Sequence, residues 1–241
     1  MKNMHADRML SLTFLSGIKA ALPIVIGYLP AGITFGILAR GADIYLGDVF
    51  GFSGIVFAGA SQYMAIELLQ SGAFYLEIIT ATFLLNFRHF LMSASLSQKI
   101  NENRKPVLAA LAYGVTDETF AVASSEERPL TTSYLVGLEL SAWLTWNVGS
   151  LAGFFAGTYI PDIIESSMGV ALYALFAGLL LPQVKKQMRL LTLALSAGLL
   201  HWIVSEIQVI SRGWAFVLAV ICAGVIGASW LSLAPQRKKG S

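Results

Sequence analysis

Three short stretches carry side chains that a helix built only to span lipid does not need. Asn86-Phe-Arg-His89 sets an amide, a permanent cation and an imidazole within four positions. Thr116-Asp-Glu-Thr119 sets two adjacent carboxylates between two hydroxyls. Phe57-Ala-Gly-Ala-Ser-Gln-Tyr63 places a hydroxyl and an amide among small residues, with Gly54 just before it. Imidazole passes protons near neutral pH. Small residues let a ligand approach the backbone, and adjacent carboxylates need a cation, a proton or water when they lie in lipid. No histidine- or cysteine-rich spacing suggests a metal. No Gly-x-x-x-x-Gly-Lys-Ser/Thr motif or nucleophile elbow suggests nucleotide or acyl chemistry. The expectation is a protein with no catalytic residues, metal or cofactor, and not an enzyme.

The elements that hold these stretches are apolar. The chain has 241 residues, 56% hydrophobic and 12% charged, with a mean hydropathy of +0.69. Soluble domains carry about 25% charged residues. A net charge of +2 gives no reason to expect a nucleic-acid partner; the expected surroundings are membrane lipid. The single cysteine, Cys222, lies in an apolar run and reads as a small buried hydrophobe. The first 17 residues resemble a signal peptide, but Lys19 follows with no small-x-small cleavage site. They read as a retained cytoplasmic or interfacial lead-in.

Eight apolar segments follow, at 17–39, 49–70, 74–96, 106–124, 131–158, 167–183, 190–208 and 213–233. The fold class is all-α, a polytopic membrane bundle forming one transmembrane domain over 1–241. Basic residues cluster in three places: Lys99, Arg104 and Lys105; Lys185, Lys186 and Arg189; Arg237, Lys238 and Lys239. The positive-inside rule puts all three on the cytoplasmic side with the N-terminus. The loops 40–48 and 125–130 lean acidic and fit outside. Eight full crossings violate this parity. About six crossings and two broken or re-entrant helices satisfy it.

Segment two, with its Gly-Ala-Ser-Gln interruption, is one expected half-crossing. Phe57-Ala-Gly59 is echoed by Phe176-Ala-Gly178, and Gly32-x-x-x-Gly36 by Gly149-x-x-x-Gly153, at nearly the same offset. These echoes point to segment six as the second half-crossing, and to inverted repeats 1–128 and 129–241. The loop 159–166, with Asp162 and Glu165, would then be cytoplasmic without any basic residue, the poorest fit in the scheme.

Single residues have competing readings. Pro23 and Pro30 either kink segment one or unwind it so that its backbone meets a substrate. Arg88 either snorkels to the interface or pairs with a carboxylate. An arginine at the bilayer centre costs roughly 2.5–3.5 kcal/mol on insertion scales. Asp117 and Glu118 point about 100° apart on a helix, so one could face Arg88 and the other a pathway. Glu139, His201 and Glu206 are weaker signals. Trp143, Trp146, Trp202, Trp214 and Trp230 read as interface anchors or packing, Asn147 as an interhelical hydrogen bond, and Gly149, Gly153 and Gly157 as close helix packing.

Ala21-Leu-Pro-Ile-Val-Ile-Gly-Tyr-Leu-Pro30, Phe57-Ala-Gly-Ala-Ser-Gln62, Asn86-Phe-Arg-His89 with Ser93 to Leu96, and Thr116-Asp-Glu-Thr-Phe-Ala121 resemble the AzlC-type branched-chain amino acid exporters. The resemblance runs over the whole chain and is specific in its first half. It implies a multi-pass permease of a prokaryotic cytoplasmic membrane, exporting valine, leucine, isoleucine and sometimes methionine. It also implies a separate short membrane subunit of the AzlD type.

The residues fit that expectation. A zwitterion needs a site for its carboxylate and one for its ammonium. Free N–H groups at a broken helix, at Gly59 and Ala60 with Ser61 and Gln62, suit the carboxylate. Asn86 and the backbone at Pro30 complete the expected substrate contacts. Asp117 or Glu118 suits the ammonium. Arg88, His89, Asp117 and Glu118 are the expected ion-coupling residues; the expected ion is a proton, which supplies about 2.3 kcal/mol per 100 mV on crossing the membrane. The rival readings are an exporter of another small solute, an ion channel or transporter, and a structural subunit with no site of its own.

Overall fold

A computed structural model describes residues 12–159, 188–206 and 211–232, together with residues 177, 181, 184 and 185. Segment six, apart from residues 177 and 181, lies outside these residues, as does the echo at Phe176 and Gly178. The described elements are helical: α1 (Phe14–Gly41), α2 (Leu46–Gly51) running into a π-helical turn (Phe52–Val56), α3 (Gly59–Gln70), α4 (Tyr75–Ser97), α5 (Lys105–Tyr113), α6 (Asp117–Ser125), α7 (Thr132–Gly157), α8 (Arg189–Glu206) and α9 (Arg212–Ser232). Among the described residues the extended pairing is a single parallel bridge between Ile100 and Leu130. One of these helices, Phe14–Gly41, is both long and apolar enough by itself to cross a membrane. In α4 and α7 the length is there, but polar and ionisable side chains dilute it.

Contacts divide the described residues into two units, one within Met1–Ile66 and Leu85–Leu172, the other within Glu67–Leu84 and Tyr173–Ser241. In the first unit α1 starts at a capping box made by Thr13 and Ser16 and runs unbroken through Pro23 and Pro30. The reading in which the prolines unwind segment one is therefore corrected. Seven residues is two turns, so both rings fall on one side of the helix. Both prolines are exposed there, where the crowding they cause meets no neighbour. Pro30 thus offers no unwound backbone. Its carbonyl accepts the Thr34 hydroxyl at 2.9 Å.

The core of this unit is the seam between α1 and α7. A Cβ on Gly36 would strike the backbone of Ser150, one on Gly153 that of Ile33, and one on Gly17 that of Tyr134. Gly32 and Gly149 lie Cα to Cα. The glycine motifs that echo each other in sequence therefore pack against each other in space. Gly17 meets residues 134–138, Gly36 meets 150–154 and Gly157 meets 37–40, so the two helices run in the same direction. Halves inverted about residue 128 would set them in opposite directions, so this seam departs from the expected inverted pairing.

Segment two is a hairpin. Gln62 Nε2 donates to Ser53 Oγ at 3.2 Å, although nine residues of straight helix would separate them by about 13 Å along the axis. Phe35 on α1 touches Phe52 before the break and Tyr63 after it, with ring centroids 6.4 and 5.7 Å away. The turn is made by Phe57 at φ 45°, a left-handed conformation rare for a bulky residue.

Segment four is a second hairpin, and this corrects the expectation of a continuous crossing. α5 ends at Gly114, and Thr116 caps α6 through a capping box with Thr119. The capping hydroxyls open a new helix here, so the acidic pair occupies a first turn. α6 returns to where α5 began: Lys99 Nζ donates to Ser124 O at 2.6 Å and Leu130 N donates to Lys99 O. This end also holds the start of α1, since Thr131 Oγ1 donates to Leu12 O at 2.5 Å. Hairpin one therefore enters beside the C-terminal ends of α1 and α7, and hairpin two beside their N-terminal ends. Two ion pairs flank hairpin two. Glu102 and Glu126 are each held down to about 2 by hydrogen bonds from Arg104 and Arg128 respectively.

In the second unit α8 packs on α9, with Leu193 against Gly227 and His201 edge-on to Phe216. Glu77 is buried there at 1% exposure. One of its oxygens accepts the Ser211 hydroxyl, and the carboxyl lies against Gly213.

Candidate functional site

The two hairpin tips meet. The Tyr113 hydroxyl donates to Gly54 O, and the Phe57 and Tyr113 ring centroids lie 6.2 Å apart. Trp143 Nε1 donates to both Tyr113 Oη, at 2.9 Å, and Gly54 O, at 3.3 Å. Trp143 is thus a strut between the tips and not an interface anchor.

The tip of hairpin one is neutral. Ser61 and Gln62 are at most 1% exposed, Ala60 is also buried and Gly59 partly so. Gln62 Oε1 accepts from Ala58 N at 3.2 Å, and its amide reaches Ser53, whose hydroxyl donates to Ser150. This network holds the turn. It leaves the backbone N–H groups of Gly59, Ala60 and Ser61 at the start of α3, where a first turn has no intrahelical acceptors. Asn86 Nδ2 donates to Ser61 Oγ at 3.0 Å, while Asn86 Oδ1 is buried without a partner. Gly59 is needed because a Cβ there would come within 2.8 Å of the Trp146 ring.

Trp146 joins this tip to the second. It is 3% exposed and lies 5.3 Å, edge to face, from Tyr28, with Phe35 and Tyr63 also around it. Its Nε1 is buried without a partner. The Tyr28 hydroxyl reaches the tip of hairpin two, donating to Glu118 Oε2, with Thr116 Oγ1 2.8 Å away. Arg88 meets Asp117 Oδ2 at 3.0 Å, each about a third exposed. Arg88 is therefore paired, and the two adjacent carboxylates are divided between two partners. His89 is half-buried and makes no hydrogen bond or ion pair among the described residues.

The fold thus brings together nine of the ten expected residues on the two hairpins and the C-terminal half of α4: Gly59, Ala60, Ser61, Gln62, Asn86, Arg88, His89, Asp117 and Glu118. Pro30 is the exception, exposed on α1. Sequence reasoning passed over Tyr28, although it sits between the two prolines of the conspicuous N-terminal stretch, and Ser53 and Ser150, which gave only single hydroxyls in apolar runs. Trp146 was read as packing, which it is, but its unpaired buried N–H was not foreseeable from spacing.

Chemically, the site has two poles around an aromatic wall. One presents backbone N–H groups and an amide, the other a hydrogen-bonded carboxylate and an ion pair. Among the described residues no group of three or more His, Cys, Asp or Glu is placed to hold a metal ion.

Comparison with known proteins gives the family. The inner membrane protein YgaZ of Escherichia coli is 31% identical over 91% of this chain and 93% of its own. An uncharacterized membrane protein of Archaeoglobus fulgidus is 33% identical over 91% and 96%. The branched-chain amino acid transport protein AzlC of Bacillus subtilis is 24% identical over 72% and 69%. No solved structure matches the chain. The family described as AzlC protein matches residues 23–160, the stretch that holds both hairpins and nearly all of the seam. This is a membrane protein, and it belongs to the AzlC family.

Proposed function

We propose that this chain exports small apolar amino acids, branched-chain ones foremost, using an ion gradient. The observation that carries the reading is the meeting of two helical hairpins whose tips differ in charge. The first-turn N–H groups of Gly59, Ala60 and Ser61, with Asn86, receive the substrate carboxylate. Glu118, steadied by Tyr28, receives the ammonium. Trp146, Phe57 and Tyr113 line the aliphatic part. One methylene is worth only roughly 1–3 kcal/mol in an apolar pocket, so valine, leucine, isoleucine and methionine compete. The printed name of the Bacillus subtilis relative supports this substrate class. The chemistry is transport without catalysis.

We also propose a topology in keeping with the two hairpins. With segments two and four as the half-crossings, the remaining six segments cross. The N-terminus, the loop 97–105, the loop 183–189 and the tail then all lie in the cytoplasm. The acidic loop 159–166 moves outside, which removes the misfit of the earlier scheme. The loop 125–130 becomes cytoplasmic, its Glu126 neutralised by Arg128. The setting is the cytoplasmic membrane of a prokaryote, and the partner is a small membrane subunit of the AzlD type.

The test is counterflow. Purified protein in liposomes loaded with unlabelled leucine should concentrate radiolabelled leucine, with and without the small subunit, and valine and isoleucine should compete. Retention of no labelled amino acid, or a substrate-independent conductance across a planar bilayer, would refute it.

A further inference from the structure

Glu139 on α7 is 6% exposed, and its Oε1 is buried without a hydrogen-bond partner. Its carboxyl lies directly on the backbone of Gly114, where a Cβ would come within 2.5 Å of Oε2. Gly114 caps the C-terminus of α5 and is the first residue of the hinge that turns hairpin two. Beside the carboxyl is a cavity of about 320 Å³ lined by Leu111, Tyr113, Val136, Leu140 and Trp143.

An ionised carboxylate in this position has neither the counter-charge nor the donors that make buried charge tolerable. The ionisable groups on the helices packed against α7 do not partner it. Tyr113 on α5 donates to Gly54, Asp117 and Glu118 on α6 are held by Arg88 and Tyr28, and Lys19 on α1 is exposed. The neutral acid fits the site without a partner. Once ionised, the carboxyl requires donors, and the backbone lying against it is that of the hinge.

We propose that Glu139 is a proton-binding site whose protonation sets the position of hairpin two, and through it couples proton movement to transport. The coupling role rests on the transport reading above; the proton site itself does not. This assigns the coupling proton to Glu139 in preference to Asp117 and Glu118, whose carboxylates are occupied. The proton enters through the cavity, forms the O–H bond on the unpartnered oxygen, and leaves by the same oxygen when the hinge moves.

Two measurements separate the proposal from its parent. Dicyclohexylcarbodiimide reacts with protonated carboxyls in apolar surroundings. In the wild-type protein in lipid, peptide mass spectrometry should find the adduct on Glu139, falling as pH rises. No adduct on Glu139, or one indifferent to pH, overturns the proposal whatever the substrate proves to be. In proteoliposomes, Glu139→Gln should retain leucine counterflow within a factor of about two while losing pH-gradient-driven accumulation. Accumulation equal to wild type in that variant, or loss of counterflow in correctly inserted protein, overturns it. If the variant fails to insert, the wild-type labelling decides. Wild-type protein that moves no leucine but labels at Glu139 refutes the exporter reading and leaves the proton site standing.

Discussion

Hairpin one turns at a left-handed phenylalanine, and hairpin two turns at a capped threonine. The first has no charged residue at its tip and ties its turn with neutral groups, Gln62 to Ser53 and to the Ala58 N–H. The second is closed by a capping box, Thr116 with Thr119, and carries its own carboxylates, Asp117 and Glu118, in the first turn. A helix start left open to a ligand is an anion site in waiting, whereas one filled by its own side chains is not. Under the proposed function, the difference gives opposite jobs to two similar shapes. The contacts that hold them also mirror each other. Tyr28 of α1 reaches Glu118 of hairpin two, and Asn86 of α4 reaches Ser61 of hairpin one. Residue 86 follows 28 at the separation by which 118 follows 61, to within one residue. Each long helix thus steadies the hairpin that follows the other.

The comparison can be broken most severely at Gly59. Gly59→Leu drives a side chain into Trp146 and closes the neutral tip; overpacking of this kind costs about 1–3 kcal/mol. Leucine counterflow should vanish, and the thermal midpoint of the detergent-solubilised protein should fall. Next comes the charged tip. Arg88→Ala and Asp117→Ala should each slow counterflow about tenfold, and the double variant should be no slower than either. A coupling of about 1 kcal/mol is expected from that cycle, given the partial exposure of the pair. Additive losses would show that the two residues work apart.

A smaller effect tests the mirrored contacts. Tyr28→Phe removes the hydroxyl from Glu118, and Ser61→Ala removes the acceptor from Asn86. Each should cost about 0.5–1.5 kcal/mol of stability. Tyr28→Phe should weaken competition by amino acids more than by their deaminated analogues, because it disturbs the carboxylate pole. Ser61→Ala should instead weaken amino acids and their deaminated analogues alike, and amino acids more than their decarboxylated amines.

The smallest effect lies outside the membrane. Arg128 holds Glu126 at about 2, below its ordinary 4.5. A lowered carboxyl contributes stability above its unfolded value and loses it as pH falls toward the folded one. The wild type should therefore lose more stability than Glu126→Gln between neutral pH and about pH 3, a difference readable in parallel melting curves.

Much of this was legible in the sequence because length and hydropathy report helices that must cross lipid. Segments one, three and five were found within three residues of their ends. The break at Phe57 was legible because glycine, serine and glutamine interrupt an apolar run. Charge parity required two half-crossings, but it does not say which; the Phe-Ala-Gly echo pointed to segment six, which apart from residues 177 and 181 lies outside the described residues. The turn at Thr116 escaped because its capping partner is Thr119, where a glutamate or glutamine is the more familiar signal. The acids beside it then read as an interruption, when they are the first turn of a new helix. The glycine motifs were read both as a repeat and as packing. Only coordinates could reveal that the two copies pack against each other, because sequence carries no direction of approach. Glu77 went unnoticed because one acid near the start of an apolar run resembles an interfacial residue.

The seam between α1 and α7 limits how the protein can move. Its teeth are backbone atoms, with glycine Cα against glycine Cα and carbonyls where side chains would otherwise stand. Side chains can change rotamer and let neighbouring helices slide, but main chain offers no such slack. α1 and α7 therefore behave as one beam, and any alternation between inward and outward access falls to the parts mounted on it. A machine of this kind wears at its hinges, not along its spine, and variants that alter timing without unfolding the protein should gather at Phe57, Ala58, Gly114 and Val115.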